Sequence, residues 1–175
     1  MSQTRRHTIS ALVANRPGVL TRISGLFSRR GYNIESLSVC DTEDVNFSRM
    51  TIVVNGDNYL LEQIVKQLDK LVDVKKILHA HSKDSIFREL LLIKVDAPAE
   101  KRSQIMEIAN IYKAKTVDLS ISSMILELTG ETDKINAFIE VITPYGIKEL
   151  ARTGVTALLR GELCIKDLSD YNDLI

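Results

Sequence analysis

Over residues 8–80 the spacing of the apolar residues switches between a period of two and the helical period of about 3.6, and the order of the switches leaves few folds open. Residues 8–13 alternate, with Ile9, Ala11 and Val13 on one side and Thr8, Ser10 and Leu12 on the other. Residues 19–30 set Val19, Leu20, Ile23, Leu26 and Phe27 on one helical stripe, with Arg22, Arg29 and Arg30 pointing away and Gly31 in the usual C-cap place. Two strand-like runs, 34–41 and 47–54, flank the polar turn 42–46 and so pair as antiparallel neighbours. Asp57 or Asn58 caps a second helix carrying Leu61, Ile64, Val65, Leu68 and Val72, and residues 74–80 return as a strand. The order is β-α-β-β-α-β, the split form of the βαβ unit.

After a polar link at 81–85 the same order comes round again. Residues 89–95 read as a strand, and Pro98 opens a helix with Ile105, Ile108, Ala109 and Tyr112 on one face. Residues 115–121 and 124–129 form a hairpin around Ser122 and Ser123; residues 133–142 form a helix capped by Thr132 and stopped before Pro144. Residues 147–151 and 156–160 supply the last strand material. The halves share element order but almost no residues. The expected fold class is α+β, two consecutive ferredoxin-like βαββαβ domains at 6–81 and 86–161, with a tail at 162–175.

That fold hosts many functions, so chemistry has to discriminate among them. The chain carries 23 basic and 23 acidic side chains. A nucleic-acid or acidic-membrane binder needs a basic excess, so neither partner is expected. The same element order builds RNA-recognition modules, but those stack bases on aromatics of the central strands, and FSRMTIVV offers Phe47 alone, at its edge. Cys40 and Cys164 form neither a CxxC pair nor a disulfide framework, which fits a reducing compartment. Cys40 reads as a small buried hydrophobe. No apolar run is long enough to span a bilayer, and MSQTRRH leads into an alternating strand rather than an h-region. A cytoplasmic location is expected.

No convergent set of nucleophile, base and oxyanion donor can be assembled, so no catalytic residue is assigned. His79 and His81 share one strand face, yet no third ligand accompanies them, so no metal site is assigned. The glycines are spaced for neither a dinucleotide nor a Walker loop. What remains is the turn NRPGVL, residues 15–20, between the first strand and helix. Amides at a helix N-terminus lack intrahelical partners and carry the positive end of the dipole, so they suit a carboxylate, and Gly18 lets a ligand approach the backbone. A Pro-Gly pair before a helix is also ordinary punctuation.

NRPGVL followed by RRGYNIESLSV (29–39) and FSRMTIVV (47–54) resembles the N-terminal ACT domain of the small regulatory subunits of acetolactate synthase, also called acetohydroxyacid synthase. LLLIKV (90–95), the DLS after Val117, ELTG (127–130) and ARTGV (151–155) leading to ALLRG resemble the second domain of that family, so the likeness covers about residues 6–161. It implies a chain with no catalysis and no cofactor of its own. It further implies a catalytic large subunit as partner, carrying thiamine diphosphate and magnesium, with FAD a further candidate there. This chain would activate that partner and confer feedback inhibition by valine in branched-chain amino acid biosynthesis. It also implies a homodimer through the ACT domain, with the effector held by Asn15, Pro17, Gly18, Val19 and Leu20 of one copy facing Asn33 and Ile34 of the other. Such a turn suits valine: amides take the carboxylate, an Asn oxygen takes the ammonium, and Ile34 and Val19 would line a small apolar pocket. Alternatives are a free-standing ACT-type amino-acid sensor acting on another protein and an acylphosphatase-like hydrolase; the second lacks a convergent polar site.

Overall fold

The computed structural model describes residues 4–168. Of these, the residues up to Ile86 and from Val155 onward gather into one compact unit, and Phe87–Gly154 form the other.

In the first unit, strands β1 (Arg5–Ala14), β2 (Ile34–Asp41), β3 (Phe47–Gly56) and β4 (Val74–Ala80) form a sheet in the order β2-β3-β1-β4. Helices α1 (Val19–Arg30) and α2 (Asn58–Asp69) cover one face. The alternation explains which face: Ile9, Ala11 and Val13 of β1 and Met50, Ile52 and Val54 of β3 join Ile23, Phe27, Ile64 and Leu68 of the helices in one buried cluster. Register agrees, since Ile9 pairs with Ile52 and Ala11 with Met50, and directly paired residues share a face. Asp57 caps α2, its carboxylate accepting the Leu60 N–H at 2.8 Å. Gly31 ends α1 at φ 69°, a left-handed conformation that glycine adopts without strain.

The opposite face of this sheet is also closed. Ser10, Leu12, Thr51, Val53 and Leu78 are buried there. Strand β9 (Thr156–Leu159) and a short 3-10 turn at Ile165–Asp167 lie against β4, with Val155, Ala157 and Ile165 buried in turn. The segment is tied by Val155 N–H to Ser36 Oγ at 3.3 Å, by Lys76 Nζ to Leu168 O at 2.6 Å and by a Lys166–Glu43 ion pair. Residues 155–161, expected with the second domain, thus gather with the first unit, and the start of the expected tail docks there. Residues 169–175 of that tail lie outside the described residues.

The second unit repeats the plan. Strands β5 (Ser85–Asp96), β6 (Lys115–Leu119), β7 (Ser123–Gly130) and β8 (Ile147–Arg152) run in the order β6-β7-β5-β8. Leu91, Ile93 and Val95 pack with Met124, Leu126 and Leu128 under Ile105, Ala109, Ile135 and Phe138 of helices α3 (Arg102–Tyr112) and α4 (Thr132–Ile142). Two consecutive α+β ferredoxin-like folds are therefore present.

Three local expectations are corrected. Pro98 does not open α3: it heads a turn closed by Lys101 N–H on Pro98 O at 2.9 Å, and the helix begins at Arg102. Thr132 is not the N-cap of α4 but its first residue, with Glu131 in the cap position, and its hydroxyl donates to the buried Glu89 carboxylate. Cys40 is exposed, not buried, because it lies on an edge strand opposite Arg49.

Candidate functional site

The turn expected to bind an effector joins β1 to α1. Its backbone is braced on two sides, with Ala14 N–H donating to Asp73 O and Asn15 N–H to Asn46 O, both at 2.8 Å. Gly18 is the N-cap of α1 at φ 87°, where an L residue would be strained, and an added Cβ there would meet nothing within 4 Å. Having no side chain, Gly18 cannot cap the first-turn amides, and no acidic residue stands in that turn. The helix thus presents its positive end at an open surface without a protein carboxylate in its first turn.

The expected residues divide sharply by position. Asn15, Pro17 and Gly18 are exposed, and Asn15 Nδ2 donates to Val45 O at 3.1 Å and Asp41 Oδ1 at 3.4 Å. Val19 turns its side chain into the core, so only its backbone can serve a ligand, whereas Leu20 remains 47% exposed. Asn33 is exposed and Ile34 half-buried, at the far end of α1. Twelve residues of helix separate the groups, about 18 Å at the usual rise. Strand register gives the same answer, because β3 pairs Ser48 with Asp41 near the Asn15 end and Val54 with Ile34 at the other. Within one chain the structure does not bring the two halves of the site together.

A group that the residue pattern did not reveal stands beneath the turn. Asp73, 3% exposed, accepts from Arg16 Nε at 2.8 Å and Arg16 Nη2 on one oxygen, and from Arg22 Nη1 at 2.6 Å on the other. The Arg16 guanidinium, then that of Arg22, holds the Asp73 carboxyl below the usual carboxylate range, so the group is ionised. Arg16 had no role in the sequence; its only signal was a cation beside Pro17.

Two further polar clusters are internally satisfied. His7 Nδ1 faces His79 Nε2 at 3.2 Å, His7 Nε2 lies 3.2 Å from Gly56 O, and the His79 and His81 rings pack at 4.1 Å. His79 is buried against His7 although it lies on edge strand β4, and burial pushes its pKa down to about 4. Among the described residues no group of three or more His, Cys, Asp or Glu is arranged to hold a metal. In the second unit Glu89, 4% exposed, accepts from Thr132 and from Arg152 Nε, while Arg152 Nη1 donates to Asn136 Oδ1 at 2.8 Å. The arginine of ARTGV is thus used to neutralise a buried carboxylate.

Known proteins match along both units. Residues 9–76 match a family described as an AHAS small subunit-like ACT domain, and residues 88–161 one described as the small subunit of acetolactate synthase. A protein of Archaeoglobus fulgidus named "Probable acetolactate synthase small subunit" is 54% identical over 156 residues, covering 89% of this chain and 98% of its own length. The acetolactate synthase small subunit of Mycolicibacterium smegmatis is 51% identical over 158 residues, 90% of this chain and 93% of its own. The crystal structure of the acetolactate synthase small subunit from Thermotoga maritima superposes with a TM-score of 0.83 at 38% identity, covering 91% of this chain and 99% of that one.

Proposed function

This chain belongs to the family of acetolactate synthase small subunits, and from that premise we propose a regulatory chain with no catalytic site of its own. It binds the catalytic large subunit, an enzyme using thiamine diphosphate, raises its activity and makes it sensitive to valine. The effector is held between two copies of the chain.

One observation carries the two-copy reading: the candidate residues lie at opposite ends of β2, and β2 is an edge strand. Antiparallel pairing of β2 with β2 of a second copy, across a two-fold axis, sets the Ile34 end of one strand beside the Asp41 end of the other. Asn15, Pro17 and Gly18 of one copy then face Asn33 and Ile34 of its partner. The carboxylate of valine takes the α1 N-terminus at Gly18, and Leu20 with the partner's Ile34 encloses the isopropyl group. Valine binding favours the dimer arrangement that holds it best and so biases the catalytic partner.

The test is reconstitution. Acetolactate formation by the large subunit rises when this chain is added and falls again with valine. Gly18→Asp retains activation but loses valine inhibition, because its carboxylate occupies the ligand's place. Gly18→Asn, which tolerates the left-handed backbone equally and carries no charge, keeps more of the inhibition. Equal valine inhibition in wild type and Gly18→Asp removes the site.

A further inference from the structure

Asp73 is a buried carboxylate whose three side-chain hydrogen bonds all come from arginines beside the effector turn. Arg16 belongs to the turn itself and Arg22 to the first turns of α1, so both ends of the Pro17–Gly18 segment converge on one side chain. The main chain adds a fourth tie, Ala14 N–H to Asp73 O at 2.8 Å. Neither guanidinium is buried, with side-chain exposures of 59% for Arg16 and 63% for Arg22, so the two side chains act here through their charge rather than by filling the core. Buried charge is costly unless fully paired, and removing one partner leaves the others uncompensated. A solvated turn with Gly18 at its centre would otherwise sample many conformations, and ordering it on binding would weaken affinity.

We propose that Asp73 is the positioning residue of the effector turn: by clamping Arg16 and Arg22 it holds residues 16–20 in the ligand-ready conformation before any effector arrives. The role rests on the effector reading of that turn, but its physical content, pre-organisation of the turn, can be measured without a ligand. Arg16 and Arg22 outnumber Asp73 in charge, so the clamp also leaves one positive charge beside the α1 N-terminus, where a carboxylate ligand gains from it.

The full-length chain is compared with Asp73→Asn, and with Arg16→Gln as the milder variant that leaves the Asp73–Arg22 pair intact and folds if the first does not. Two quantities are read: valine affinity by calorimetry, and amide hydrogen exchange along the chain. Asp73→Asn weakens valine binding about tenfold, and exchange rises about tenfold at the hydrogen-bonded amides at the two ends of the turn, Asn15 and Arg22, while the centres of β1 and β3 remain protected. Arg16→Gln gives a smaller change of the same pattern, and Arg16→Lys restores part of it. A purely structural role predicts instead that protection falls evenly through the first unit; that result, or affinity and turn exchange both within about twofold of wild type, overturns the proposal. If the wild-type chain takes up no valine, the effector reading falls on its own. The exchange pattern then decides, localised loosening supporting the clamp and its absence overturning it.

Discussion

His7 and His79 show how two residues far apart in sequence set an acid limit on the first unit. Both are buried and face each other, with Arg5 and His81 as nearby cationic or ionisable neighbours and Asp57 the opposing charge. Burial lowers both pKa values, that of His79 to about 4. The folded state therefore resists protonation that the unfolded chain accepts near the ordinary histidine value. Their contribution is complete above about pH 6.5 and is lost as pH falls toward about 4. Urea unfolding should show a loss on the order of 1–2 kcal/mol between about pH 7 and pH 5, and His79→Gln should flatten that slope. A slope unchanged in the variant places the acid sensitivity elsewhere. Asp73, with its pKa lowered by arginines, adds a second loss only at more acid pH, as the carboxylate falls through its depressed value. Neither the His7–His79 contact nor the Asp73 clamp was legible in the sequence, because their partners lie 72 and 57 residues apart and no local periodicity reports such a meeting.

At the scale of elements, the helices and strands were nearly all readable, and the misreadings were at their ends. The start of α3 depends on where the Pro98–Lys101 turn closes, and α4 begins one residue before the position that a capping Thr132 would give it, boundaries that apolar spacing does not mark. Edge strand β2 is the element on which the proposed dimer depends. Val39 stands 44% exposed on it, and lysine on an edge is a common device against pairing between chains. Val39→Lys should leave the folded chain intact by circular dichroism, shift sedimentation toward the monomer, and weaken valine binding about tenfold or more. A dimer that persists unchanged would place the contact on a different edge.

At the scale of the whole molecule, the most consequential feature is the return of the C-terminal segment to the first unit. Ile165 is 3% exposed in a turn that the sequence offered only as tail. Ile165→Ala should cost about 2–5 kcal/mol in chemical denaturation of the first unit, as for other buried large-to-small changes; a cost near zero would mean the segment contributes no packing. The repeated β-α-β-β-α-β order, the helix-covered face of each sheet and the Gly18 turn all followed from local spacing, because a period of two or 3.6 itself states which side of an element avoids water. The pairing of Arg16 with Asp73, the burial of Val19 beside an exposed Leu20, and the closure of the second face of the first sheet by residues 155–168 did not follow. Each depends on which distant segment comes back against the same surface, and that is determined by the packing of the finished sheet rather than by the spacing along any one stretch of chain.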